Sequence, residues 1–169
     1  MILVSLNPAL RQEDLLRCLN LVGCKALFGV SALRKSDYAS LLLNAFPSLS
    51  SARPHELNAE AVPSLRSVVL ADNISSKQPG VFDQLLDRHR GFADYRSVLS
   101  SSPLKPVDTL NNNDVINLQF TSGTTGAPKA VSLTHRNLLN NGKHIADCMR
   151  FTERDVLLNT PVRSFIFLC

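Results

Sequence analysis

Apolar residues in this chain recur at two spacings, and the alternation between them predicts helices interleaved with strands. Leu15, Leu19 and Val22, with Leu16 beside them, share one helical face, and Gly23 follows as a stop. The apolar runs at residues 1–6, 24–30 and 67–71 read as strands. Ser36 is placed to cap a helix carrying Tyr38, Leu41, Leu42 and Ala45, which Pro47 ends. A short helix is predicted over residues 82–88 and strands over 114–120 and 130–133. Thr134 caps a further helix reaching to Met149, with Leu138, Ile145 and Met149 on one face.

Between these elements, residues 72–80 crowd Asn, Ser, Lys, Pro and Gly into a turn-rich loop. Residues 100–113 read as a linker, with Pro103, Pro106 and three successive asparagines. Alternation of this kind predicts an α/β fold built on a largely parallel sheet. No internal repeat is visible. The 169 residues, 44% of them hydrophobic, suffice for one domain-sized core.

Charge narrows the function classes slightly. The net charge of +4 comes from basic residues scattered among acids, which is not a nucleic-acid footprint. No apolar run approaches the about 20 residues of a membrane helix, and no basic stretch leads into a cleavable apolar segment. Phe165, Ile166, Phe167 and Leu168 read as an exposed apolar end rather than an anchor. Cys18, Cys24, Cys148 and Cys169 lack C-x-x-C spacing, so reduced thiols and no metal site are expected. His55, His89, His135 and His144 are dispersed. His135 is assigned a local capping or packing role, and Arg136 a solvated face.

The chemistry is concentrated in residues 118–129, L-Q-F-T-S-G-T-T-G-A-P-K. Thr121, Ser122, Thr124 and Thr125 offer hydroxyl donors, Gly123 and Gly126 permit close backbone approach, and Lys129 brings a mobile positive charge. Successive backbone N–H groups in such a loop form an anion-binding concavity, which suits a polyphosphate. A flexible linker has the same composition. The strands on both sides and the stiffening Pro128 argue against one. The G-x-x-x-x-G-K-[ST] loop of nucleotide triphosphatases fits at Gly123 and Lys129. It fails where Pro128 stands for the second glycine and Ala130 for the magnesium-binding hydroxyl.

Thr121, Ser122, Gly123, Thr124, Thr125, Gly126, Ala127, Pro128 and Lys129 resemble at every position the signature loop of the adenylate-forming (AMP-binding) enzymes. Ala130 departs from the usual glycine, while Val131, Ser132, Leu133, Thr134, His135, Arg136 and Asn137 continue as that family does. Residues 3–9 (L-V-S-L-N-P-A) and 22–27 (V-G-C-K-A-L) resemble the segment preceding the loop in medium-chain fatty acyl-CoA synthetases. Relatives are several times longer. The resemblance therefore implies an internal part of the large N-terminal domain over residues 1–169, without the small C-terminal domain. The departure from the family pattern at residues 162–169 is read as a premature stop, a retained intron or a mispredicted exon.

The resemblance implies ATP, magnesium and coenzyme A, a fatty acid or other carboxylate as substrate, and a cytosolic or mitochondrial setting. The nine loop residues would bind the phosphates. The magnesium-binding glutamate, the ribose-binding aspartate and the catalytic lysine of the family would lie beyond Cys169, so inactivity of the chain alone is expected. Two other readings stay open: a non-catalytic nucleotide-binding or regulatory protein, and a non-functional truncated product.

Overall fold

In β1 (Leu3–Leu6), Val4 and Leu6 are buried and their neighbours less so, the period of two expected of a strand with one face on a core. The computed structural model describes residues 1–33, 35–74, 77–99, 109–122, 128–156 and 165–168. Helix α1 (Gln12–Val22) buries Leu15, Cys18 and Leu19 as a single stripe, with Glu13 and Asp14 complementing the dipole in its first turn. Gly23 ends it at φ 61°. There the Cys24 N–H donates to the Leu19 carbonyl at 3.0 Å and the Gly23 N–H to Asn20 at 3.2 Å.

Strand β2 (Ala26–Val30) leads into a small hairpin of β3 (Ala32–Leu33) and β4 (Ser36–Asp37), and then into α2 (Tyr38–Ala45). Asp37, not the expected Ser36, caps α2: its carboxylate accepts the Ser40 N–H at 2.9 Å. Ser36 is paired with Leu33 in the hairpin, so the chain turns into the helix one residue later. Pro47 opens a 3-10 turn, Pro47–Ser50.

The remaining elements are β5 (Ser67–Ala71), α3 (Val81–Arg88), β6 (Phe92–Asp94), β7 (Val115–Ser122), β8 (Pro128–Thr134), α4 (His135–Met149) and β9 (Phe165–Leu168). Residues 100–108 of the expected linker lie outside the described residues.

The main sheet has the order β6-β5-β2-β9-β1-β7-β8. β6, β5 and β2 pair in parallel, as do β1 and β7. Because β9 is antiparallel to both β2 and β1, the two groups run the same way. Five strands thus share a direction, against β8 and β9. Residues 165–168, expected as an exposed apolar end, instead have their backbone paired inside the sheet. Asp155 closes a turn by accepting the Thr152 N–H at 2.6 Å, and residues 157–164 lie outside the described residues.

One cluster forms the core. Val4 and Leu6 of β1, Leu27 of β2, Val68 and Leu70 of β5 and Phe92 of β6 meet Leu15 and Leu19 of α1, Leu42 of α2 and Phe82 of α3. From β7, Leu118 and Phe120 pack against its margin.

Candidate functional site

The two strands flanking the candidate loop form an antiparallel hairpin. Gln119 is opposite Val131, Phe120 opposite Ala130, Thr121 opposite Lys129 and Ser122 opposite Pro128. The hairpin extends two residues closer to the loop on each side than the apolar pattern indicated. Ser and Thr read as loop residues in sequence, and Pro128 is tolerated because β8 is the last strand of the sheet.

Alternation then sorts the side chains. Leu118 and Phe120 face the core, so Gln119 and Thr121 face the other way. Thr121 and Lys129 are exposed and directly paired across the strands, which brings a hydroxyl and an ammonium to the same face. Among the described residues Lys129 belongs to no ion pair. Its charge is available to an anion. Gly123, Thr124, Thr125, Gly126 and Ala127 lie outside the described residues, as does the side chain of Ser122.

The base of the hairpin is fastened by the asparagine turn. The Asp114 N–H donates to the Asn111 carbonyl at 2.9 Å, and the Asp114 carboxylate accepts the Asn111 N–H at 3.0 Å. The carbonyls of Asp114 and Asn112 accept the first two N–H groups of α4, from His135 at 3.3 Å and Arg136 at 2.9 Å. Thr134 and Asn137 complete the start of the helix with reciprocal side-chain bonds, Asn137 N–H to Thr134 Oγ1 at 3.2 Å and Thr134 N–H to Asn137 Oδ1 at 3.0 Å. These bonds fix the direction in which β8 leaves the loop. His135 is half-buried with Nε2 enclosed and without a hydrogen-bond partner, which fits packing at the helix start. Arg136 is exposed.

The loop follows the carboxyl end of β7, which runs parallel to β1, so it lies at the same edge of the sheet as the segment after Leu6. In open α/β sheets this edge is where ligands bind. Near it, beneath the ends of β1 and β2, is an apolar cavity of about 40 Å³ lined by Leu6, Leu10, Tyr38, Leu41 and Leu70. Its volume is that of about one water, not of a nucleoside or an acyl chain.

Magnesium requires a set of oxygen ligands, usually including carboxylates. Among the described residues no three His, Cys, Asp or Glu side chains converge. Cys18 and Cys24 are buried and Cys148 is exposed, and burial pushes the Cys18 thiol above its ordinary pKa. Among the described residues no helix is long and apolar enough to cross a membrane.

The profile of a family described as "AMP-binding enzyme" matches residues 1–169. The mitochondrial medium-chain acyl-CoA ligase ACSF2 of Homo sapiens is 34% identical over 160 residues, which are 90% of this chain and 24% of that protein. Its counterpart in Bos taurus is 34% identical over 168 residues, covering 99% and 25%. A putative acyl-CoA synthetase of Bacillus subtilis, YngI, is 31% identical over 154 residues, covering 91% and 27%. The chain thus spans about a quarter of the length of these relatives. Among solved structures, a putative long-chain fatty acid CoA ligase from Rhodopseudomonas palustris superposes with a TM-score of 0.59 at 17% identity, over 91% of this chain and 30% of that one. That similarity supports the fold.

Proposed function

Because the chain belongs to the AMP-binding enzyme family, we propose that the loop of residues 121–129 is the phosphate-binding element of an acyl-CoA synthetase whose remaining parts this chain does not contain. The observation that carries the reading is the pairing of Thr121 with Lys129 at the carboxyl edge of the sheet, with Lys129 exposed and outside every ion pair among the described residues. The hydroxyls of Thr121, Ser122, Thr124 and Thr125 donate to the β- and γ-phosphates of ATP. Gly123 and Gly126 let the backbone approach, Ala127 and Pro128 shape the exit, and Lys129 stabilises negative charge on departing pyrophosphate.

The parent reaction has two steps. A fatty carboxylate attacks the α-phosphate of ATP, forming acyl-adenylate and releasing pyrophosphate, and the coenzyme A thiol then displaces AMP. The first step is a displacement at phosphorus in which positioning and charge neutralisation do most of the work, so no protein nucleophile is needed. A loop that holds only the phosphate tail binds ATP weakly and does not complete the reaction by itself.

Calorimetric titration of the purified chain with pyrophosphate tests the loop. Lys129→Ala is expected to weaken binding about tenfold at low salt, in line with loss of about 1.5 kcal/mol from a charge-assisted hydrogen bond. Added salt should narrow that gap. Equal binding by Lys129→Ala and the unsubstituted chain would sink the assignment. Acyl-dependent exchange of pyrophosphate into ATP is expected to be absent in the chain alone, and exchange that Lys129→Ala abolishes would overturn the view that it is inactive by itself.

A further inference from the structure

We propose that Asp114, at the base of the loop hairpin and outside the loop itself, is a positioning residue for Lys129. The ladder between β7 and β8 is irregular. Val115 is opposite Thr134 and Asn117 opposite Leu133, so two steps on β7 answer one on β8 and Ile116 is an extra, bulged residue. Counting shows what the bulge does. A regular ladder started from Val115 and Thr134 would bring Lys129 opposite Phe120, which packs against the core, whereas the extra residue moves it on to Thr121. One residue of register therefore chooses whether the ammonium stands on the side of the core or on the side of the Thr121 hydroxyl.

Neither the loop nor the core fixes that register. Five residues, 123–127, join the last pair, Ser122 and Pro128, and a connection of that length does not dictate pairing as a two-residue turn does. On β8 no residue is buried, and its larger apolar side chains, Val131 and Leu133, share a face with Lys129. A slip to the regular ladder would carry both to the side where Leu118 and Phe120 pack, so apolar burial favours the wrong register.

What holds the bulge is the base. Asp114 directly precedes Val115, and three bonds meet on it: its N–H donates to the Asn111 carbonyl, its carboxylate accepts the Asn111 N–H, and its carbonyl accepts the His135 N–H. They tie the start of β7 to the residue after Thr134, at the point from which the register is counted. Asp114 is exposed and stands outside the core cluster, so its replacement loosens the base and leaves the core in place. Only the consequence for anion binding rests on the phosphate reading of the loop. The placement of Lys129 does not.

Cross-strand nuclear Overhauser contacts in the isotope-labelled chain read the register, and calorimetry with pyrophosphate reads its consequence. The unsubstituted chain should show contacts of Thr121 with Lys129 and of Gln119 with Val131. Asp114→Ala should replace part of them by contacts of Phe120 with Lys129 and of Leu118 with Val131, and should weaken pyrophosphate binding about threefold or more. Removing an acidic side chain favours an anion on charge alone, so weaker binding marks displaced geometry. In the Lys129→Ala background, Asp114→Ala should cost nothing further. Asp114→Asn, whose amide oxygen still accepts the Asn111 N–H, should restore both register and affinity. An unchanged contact pattern in Asp114→Ala overturns the proposal, as does an equal loss of affinity with and without Lys129, or Asp114→Asn behaving as Asp114→Ala. If the unsubstituted chain binds no pyrophosphate, the phosphate reading falls, and the Overhauser contacts alone decide for or against Asp114.

Discussion

Gly91 has no room for a side chain at its place in the fold. A Cβ there would lie 2.6 Å from the Leu49 carbonyl oxygen and 2.7 Å from its Cα, and the Gly91 N–H already donates to that carbonyl at 2.9 Å. These close atoms are all Leu49 backbone, so no flexible side chain can move aside. Gly91→Ala should cost about 1–3 kcal/mol, read as a lower urea midpoint at unchanged slope. Arg150 is the opposite case, a non-glycine residue at φ 55° capping α4. Arg150→Gly should strengthen that helix end by about 0.5–1 kcal/mol, visible as slower exchange of the last turn. Asp94 couples the fold to pH. The Arg96 guanidinium donates to its carboxylate through Nε at 2.8 Å and holds its pKa below the ordinary value. A depressed carboxyl adds stability above its unfolded pKa and loses it as pH falls through the folded one, so Asp94→Asn should flatten the acid limb of stability against pH. None of these three was legible in sequence. Gly91 is constrained by a segment some forty residues away, and a left-handed arginine leaves no compositional trace.

Elements were more legible than residues. The bounds of α4 followed from Thr134 and the helical recurrence of Leu138, Ile145 and Met149, and the structure ends it at Met149 as expected. Thr134→Ala removes the reciprocal cap and should cost the helix about 0.5–2 kcal/mol, measured as lost helical signal in far-ultraviolet circular dichroism. Gly142→Ala should act the other way in the chain alone, by about 1 kcal/mol. Periodicity identified the apolar side of α4 but said nothing of what meets it, because spacing records a face and not its neighbour. The cap of α2 was misplaced by one residue for a related reason. Ser36 and Asp37 are both good caps, and the choice is made by the β3–β4 pairing, which two-residue strands do not announce. In the candidate site, the motif and its flanking strands were readable. The pairing of Thr121 with Lys129 was not, since it depends on the hairpin register.

For the whole molecule, α/β alternation implied the sheet but not its order. Leu70 is fully buried on β5 amid the cluster shared by strands and helices, so Leu70→Ala should lower stability by about 2–5 kcal/mol in chemical denaturation. The insertion of β9 between β1 and β2 has a consequence for how the molecule is made. β9 follows all the other strands in the chain, so β6-β5-β2 and β1-β7-β8 can each pair before residues 165–168 are in place. Until then each half has an unpaired inner edge open to strands of other nascent chains. The interval before β9 inserts is thus the one in which the sheet is most exposed to misassembly.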